Sequence, residues 1–105
     1  MSAQPPSGTV TFLATGIEDS ARLWEQAPED MAAATAAHGV VVRKAIERCN
    51  GHVFAAEVDG FCAAFPSALE AANAAVEAQR QLVRDNAIPF GVRMALHTGE
   101  AGGPD

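Results

Sequence analysis

The sequence predicts an α+β, ferredoxin-like fold with the order βααββαβ, a four-stranded antiparallel sheet and helices on one sheet face. Three observations predict it. Asp59-Gly60 joins two apolar runs, which is the signature of a β-hairpin, and Gly60 is expected to adopt a positive φ. Residues 89–98 alternate between apolar and polar, as a half-buried strand does. Residues 28–49 and 66–84 repeat apolar side chains every three or four positions, as amphipathic helices do.

The first elements are a strand and a short helix. Residues 8–15 form a continuous apolar and β-branched run, which predicts a strand that is covered on at least one face. A loop over residues 16–19 follows, and a helix runs from there to Gln26. We expect Asp19 or Ser20 to cap this helix, because a side-chain oxygen at the N-cap accepts a hydrogen bond from a free backbone N–H.

The second helix is predicted from Pro28 to Cys49. Proline favours the first helical turn, and Asn50-Gly51 supplies the usual C-terminal stop. The side chains expected on its buried face are Met31, Thr35, His38, Val42, Ala45, Ile46 and Cys49.

A hairpin, a helix and a strand complete the chain. In the hairpin over residues 51–65, strict alternation places Val53 and Ala55 on the sheet face opposite Phe54. The third helix is predicted from Pro66-Ser67 to Arg84. The stripe that it is expected to turn toward the sheet is Leu69, Ala72, Val76, Gln79 and Val83.

Composition limits the classes of function. The 105 residues suffice for one domain, predicted over residues 8–100, with residues 1–7 as a disordered lead-in and residues 101–105 as a terminal loop. The net charge is −6 and the basic residues are scattered along the sequence, which argues against nucleic acid as a partner. No apolar run approaches the ~18 residues of a membrane span, and no signal-peptide pattern is recognisable. We therefore expect a cytoplasmic protein that does not bind membranes.

The cysteines and histidines do not predict a metal centre. Cys49 and Cys62 lack a paired ligand spacing and are expected to be free thiols in a reducing compartment. His38, His52 and His97 fall on three different predicted elements, and we interpret them as packing or surface residues. The sequence also lacks a nucleophile–base pair, a glycine-rich phosphate loop and a CxxC motif that would indicate another enzyme class.

Three segments of the chain carry a family resemblance. The matching residues are Val10, Thr11, Phe12, Leu13, Thr15, Ile17, Glu18, Ser20, Arg22, Leu23 and Trp24, then Gly51, His52, Val53, Phe54, Asp59, Gly60, Phe61 and Phe65, and finally Arg93, Met94, Leu96, His97, Thr98 and Gly99. In this order and spacing they resemble the N-terminal half of the class III adenylate/guanylate cyclase catalytic domain. The resemblance extends over nearly all of residues 8–100, and it implies a head-to-tail dimer with active sites at the interface.

The resemblance also implies which residues would hold metal and purine. The family's two metal-binding aspartates correspond to Gly16 and Asp59, so one carboxylate is replaced. Asp59 alone would hold Mg²⁺ or Mn²⁺ weakly, and Asp19 and Glu57 are the nearby carboxylates that could substitute. Ala55 stands where the family often carries a purine-selecting lysine. The family's transition-state Asn and Arg correspond to positions beyond the last residue of this sequence.

A phosphate-binding loop is implied at Ile17, Glu18, Asp19 and Ser20, in a degenerate form. Family members use backbone N–H groups at this helix N-terminus to hold phosphates. Here Glu18 and Asp19 place negative charge at that point, which opposes phosphate binding.

The function expected from the sequence is that of a catalytically inactive cyclase-homology module, acting in dimerisation or regulation within intracellular signalling. No catalytic residue is expected, and no cofactor apart from Mg²⁺ or Mn²⁺ if the metal site is retained. Two alternatives stay open. One is a cyclase fragment that contributes Asp59 to a composite site converting ATP or GTP to cyclic nucleotide and pyrophosphate. The other is nucleotide sensing without turnover.

The expected partner is a second copy of the chain or another cyclase-like chain. It would bind the helix-free face of the sheet, where apolar strand residues would otherwise be uncovered. A purine nucleotide is the candidate small ligand.

Overall fold

The computed structural model describes residues 8–57, 60–85 and 90–101. The elements in these residues are β1 (Gly8–Ile17), α1 (Ser20–Gln26), α2 (Pro28–Arg48), β2 (His52–Glu57), β3 (Gly60–Phe65), α3 (Ala68–Asp85) and β4 (Val92–Ala101). The strands form one antiparallel sheet in the order β2-β3-β1-β4, and the two long helices α2 and α3 pack against one side of it. The predicted α+β, ferredoxin-like fold is confirmed.

The ends of the elements differ from the prediction by a few residues. β1 continues to Ile17, so Gly16 belongs to a strand and not to the predicted loop. β4 runs from Val92 to Ala101, about three residues later than the alternation predicted. The tip of the hairpin, Val58-Asp59, lies outside the described residues, as do the lead-in over 1–7 and residues 102–105.

The core lies between the sheet and the two long helices. Leu13 and Phe65 project from the central strands, and Ile46 of α2 packs with them. All three side chains are fully buried. Burying a side chain of this size stabilises the fold by about 1.5–3 kcal/mol.

None of the helices in the described residues has the length and the apolar composition that a membrane span requires.

The predicted buried face of α2 is confirmed except at its end, where half-buried Cys49 is the C-cap. Asn50 then adopts a left-handed conformation with φ 67°, and the Gly51 N–H donates to the Ile46 carbonyl oxygen at 2.8 Å. A Cβ added at Gly51 would lie 2.5 Å from the Phe65 ring. The helix stop thus depends on glycine because the chain passes directly over a core aromatic ring.

The predicted inner stripe of α3 is wrong at its large aliphatic residues, although Gln79 does reach the sheet and donates to the Val92 carbonyl oxygen at 2.8 Å. The residues that α3 turns into the core are Ala71, Ala74, Ala78 and Leu82. Leu69, Val76 and Val83 are instead 70%, 49% and 78% exposed. Alanine side chains are short, so the axis of α3 can lie close to α2 and to the sheet. The close packing that results compensates for the smaller apolar area that alanines bury.

A β-bulge in β2 changes which side chains lie on the helix-free face of the sheet. The register shifts between Val53 and Ala55, so Phe54 is the extra residue. Its ring packs edge-to-face against Phe12 of β1, with 6.0 Å between the ring centroids. Ala55 pairs with Cys62, whose alternation along β3 places it on the same face as Phe12. Phe54 and Ala55 therefore share one face, contrary to the strict alternation that the sequence predicted.

Candidate functional site

A cavity of about 550 Å³ opens where β1 ends, beside the adjoining ends of β2 and β3. The described residues that line this strand-end cavity are Thr15, Gly16, Ile17, Asp19, Ser20, Ala21, Ala55, Glu57, Gly60, Phe61, Cys62 and Arg93. The sheet register explains why they converge. Gly16 pairs with Gly60 on one side and with Arg93 on the other, so three segments distant in sequence meet at one point.

Two glycines shape the wall of the strand-end cavity in different ways. A Cβ added at Gly16 would meet no atom within 4 Å, so this part of the wall is open. A Cβ added at Gly60 would lie 2.3 Å from the carbonyl oxygen of Thr15. The positive φ predicted for Gly60 is wrong, because this residue begins β3 and glycine is needed there for the close approach of two backbones.

Asp19 does not cap α1 with its side chain. It occupies the N-cap position in a left-handed conformation, with φ 56° and ψ 32°, and makes no capping hydrogen bond. N-cap residues that bind the helix N–H groups normally have extended backbone, which explains the difference from the prediction. The carboxylate instead accepts a hydrogen bond from Arg22 at 3.2 Å, in an ion pair on the surface.

The predicted phosphate loop is only partly gathered at the strand-end cavity. Ile17, Asp19 and Ser20 line it, whereas Glu18 is not among the lining residues. The Glu18 N–H donates to the carbonyl oxygen of Gly91 at 3.0 Å and is therefore engaged within the fold. The helix that follows has only seven residues, so its dipole offers little additional attraction for an anion.

Three charged side chains among the described residues line the strand-end cavity. Glu57 and Asp19 contribute carboxylates and Arg93 contributes a guanidinium. Within residues 8–57, 60–85 and 90–101, no three His, Cys, Asp or Glu side chains are grouped to hold a metal ion. The predicted metal ligand, Asp59, lies outside these ranges. Because Gly16 offers no side-chain carboxylate and pairs across the ladder with Arg93, the described residues alone do not supply the two carboxylates that a pair of divalent ions would need.

Arg93 is the residue that sequence reasoning did not single out for the site. The alternation in the last strand placed it on the polar face, but only the register with β1 puts it beside Gly16. Its planar guanidinium carries five donors and suits phosphate recognition. Ala55 lies in the cavity wall, so the position of the absent purine-selecting lysine is part of the site.

The packing role predicted for His38 is confirmed. The residue is fully buried in α2, and its ring lies 6.0 Å from the Phe61 ring and 6.2 Å from the Phe90 ring between centroids. It therefore supports the core beneath the strand-end cavity, since Phe61 is also a lining residue.

Sequence comparison relates the chain to longer proteins. No protein-family model matches it. The uncharacterized protein Rv0891c of Mycobacterium tuberculosis is 42% identical over 102 residues, which are 95% of this chain and 34% of that protein. The adenylate cyclase of Neurospora crassa is 36% identical over 67 residues, covering 64% of this chain and 3% of that protein. The chain thus spans about a third of the length of Rv0891c, and a much smaller share of the fungal enzyme.

Structural comparison identifies the fold. An adenylate cyclase from Trypanosoma brucei, solved in its monomeric state, superposes with a TM-score of 0.80 at 24% identity. The match covers 94% of this chain and 60% of that chain. The chain therefore has the fold of a class III nucleotidyl cyclase catalytic domain, over part of that domain's length. The resemblance inferred from the sequence is confirmed.

Proposed function

We propose that this chain is a catalytically inactive cyclase-homology module that acts by association within intracellular signalling. The observation that carries the proposal is Gly16 in the wall of the strand-end cavity, where the resemblance implies a metal-binding aspartate. Two-metal phosphoryl chemistry depends on carboxylates that hold both ions against the attacking and leaving oxygens. A glycine opposite Arg93 supplies no side-chain ligand for either ion.

The proposed association surface is the helix-free face of the sheet. Phe54 is 55% exposed there, and its ring forms a pair with that of Phe12. Ala14 and Ala95 are ladder partners on the same face, and both are exposed. An exposed apolar patch rimmed by polar residues is typical of a protein interface. The partner that fits this proposal is a second copy of the chain or another cyclase-like chain.

Sedimentation of two matched variants tests this surface. We expect the natural chain to form a dimer or larger species at micromolar concentration, and Phe54→Ser to be monomeric. Val40→Ser is the control, because Val40 is 58% exposed on α2, away from the sheet face. The assembly should persist at high salt, since apolar contacts are not screened. A natural chain that stays monomeric at about 100 µM would exclude a second copy as the partner, since even a weak specific interface would associate at that concentration.

A second candidate function is favoured by Arg93. In that case the chain would contribute Arg93 and Asp59 to a composite site that it forms with an intact cyclase-like chain. The exposed guanidinium of Arg93 would attract the triphosphate to the open strand-end cavity. The test is to mix the chain with an active class III cyclase domain and to measure cyclic nucleotide made from ATP or GTP. A composite site predicts stimulation that is lost with Asp59→Asn and with Arg93→Ala. An inactive module predicts that Asp59→Asn changes nothing.

A further inference from the structure

The solvent side of the α2–α3 layer carries two adjoining depressions. One, of about 260 Å³, includes Val40 and Lys44 of α2 in its lining. The other, of about 460 Å³, includes Val76 and Arg80 of α3. Arg48 and Glu77 line both depressions and form an ion pair that connects the two helices. We call these two depressions together the α2–α3 groove.

Positive charge is concentrated along the α2–α3 groove. Four of the seven Lys and Arg residues of the chain line it, namely Lys44, Arg48, Arg80 and Arg84. The carboxylate in its lining is that of Glu77, which is already paired with Arg48. Lys44 and Arg80 form no ion pair with any described residue. The fold thus gathers cations that are scattered in sequence, and it does so on a chain whose net charge is −6.

Apolar side chains lie in and beside the same groove. Leu69, Val76 and Val83 follow one another at seven-residue intervals, so they form a single line along α3. They are exposed because alanines fill the core-facing side of this helix. Val40, 58% exposed, continues the apolar surface on α2. A second helix whose apolar residues also recur every seven positions can pack its apolar side chains along this line.

We propose that the α2–α3 groove docks an acidic amphipathic helix of a partner protein. The line of Leu69, Val76 and Val83 would contact the apolar seam of that helix, and the cations that line the groove beside it would pair with its Asp and Glu residues. A nucleic acid would meet the positive charge, but it would leave these aliphatic side chains uncovered and would be repelled by the net negative charge of the chain. The apolar area is small, so the complex is weak and transient. The proposal does not depend on the strand-end cavity or on the helix-free sheet face.

Synthetic peptides test the proposal directly. The probe is a fluorescein-labelled helical peptide with leucines at heptad positions a and d and glutamates on both flanks. One matched peptide replaces the glutamates by lysines, and another replaces the leucines by serines. Fluorescence anisotropy with the full chain should show binding of the acidic peptide and at least about tenfold weaker binding of both matched peptides. Binding of the acidic peptide should also weaken as salt is raised.

Variants of the chain locate the binding surface. Arg80→Glu combined with Arg84→Glu should weaken binding of the acidic peptide at least about tenfold, because two attractions become repulsions. Arg22→Glu is the control, because Arg22 is also an exposed cation but lies on α1. This variant should bind the peptide as the natural chain does. Circular dichroism checks that each variant is folded.

Three results would overturn the proposal. The first is equal binding of the glutamate and lysine peptides. The second is unchanged affinity in the double arginine variant. The third is tighter binding of a 20-base-pair DNA duplex than of the acidic peptide to the natural chain, which would show that the groove binds polyanions in general.

Discussion

Gly16 of β1 and Arg93 of β4 lie directly opposite each other in the antiparallel ladder at the mouth of the strand-end cavity. The resemblance to class III cyclases implies a carboxylate at the glycine position. Without it, Arg93 forms no ion pair with any described residue. A cation therefore lies beside the position for which the resemblance implies a divalent metal ion.

Replacing Gly16 by aspartate should leave the fold intact. The new Cβ has open space around it, and the carboxylate would lie across the ladder from Arg93. A cross-strand pair of opposite charge contributes roughly 0.2–1 kcal/mol, so the melting temperature should stay the same or rise by a few degrees. In an Arg93→Gln background the gain should disappear. A fall of several degrees in the Gly16→Asp melting temperature would show that the position is constrained in a way that the geometry does not reveal.

Replacing Gly60 by alanine should be clearly destabilising. Its Cβ would overlap the Thr15 carbonyl oxygen, which is a backbone atom and cannot move aside without shifting β1. Overpacking of this kind costs typically about 1–3 kcal/mol. Gly16→Ala is the matched control, because Gly16 is the ladder partner of Gly60 and has free space. Urea unfolding of the two variants checks the prediction, and equal midpoints would contradict it.

A change in side-chain size should affect the stability of the chain on the buried side of α3 and hardly at all on its exposed side. Ala74 is fully buried, so Ala74→Leu should lower the free energy of unfolding by about 1–3 kcal/mol. Val76 lies on the exposed side, so Val76→Ala should change the free energy of unfolding by less than about 0.5 kcal/mol. If Val76→Ala proved the more damaging of the two in denaturant titrations, α3 would be rotated as the sequence alone predicted.

The thiol of Cys49 should be slow to react. Burial raises the pKa of Cys49 above its ordinary value, and the carboxylate of Glu77 raises it further, against a lowering effect of Arg48. In a Cys62→Ser background, the pH at which alkylation is half-maximal should therefore be higher in the folded chain than in denaturant. Glu77→Gln should move this pH down, and Glu25→Gln on α1 should not. A midpoint equal to that of the unfolded chain would contradict the expectation.

The same shift has a consequence for stability. A group whose pKa is raised by folding stabilises the folded state fully below its unfolded pKa. That contribution is lost as the pH rises through the folded value. Cys49 therefore adds to the loss of stability at alkaline pH, and Cys49→Ala should reduce that pH dependence in melts recorded between neutral and alkaline pH.

Sequence patterns were sufficient for the order of elements and for the buried face of α2. The apolar residues of α2 are large, so their spacing indicates the core side directly. In α3 the side chains that pack are alanines, while larger aliphatic residues lie exposed, and hydrophobic spacing therefore pointed to the wrong face. The bulge at Phe54 was equally hidden, because a single extra residue in a strand leaves no mark in an alanine-rich sequence.

The candidate site was predictable in part. The resemblance indicated Gly16, Ala55 and the loop that ends at Ser20, and Gly16, Ala55 and all of that loop except Glu18 line the strand-end cavity. The contribution of Arg93 depends on the register between the first and last strands, which brings Gly16 beside a residue 77 positions further along the chain. Alternation within one strand cannot supply such long-range register.

The measurement that tests the proposed inactivity most directly is nucleotide turnover by the isolated chain. Purified protein would be incubated with ATP or GTP and with Mn²⁺ or Mg²⁺, and cyclic nucleotide would be quantified beside an active class III cyclase domain. We predict a rate for the natural chain at least about 10³-fold below that of the active domain, because Gly16 supplies no carboxylate for the metal ions. Gly16→Asp alone should not restore turnover, because Ala55 still stands where the resemblance implies a purine-selecting lysine. A rate for the natural chain within about tenfold of the active domain, a barrier difference of no more than about 1.4 kcal/mol, would contradict it.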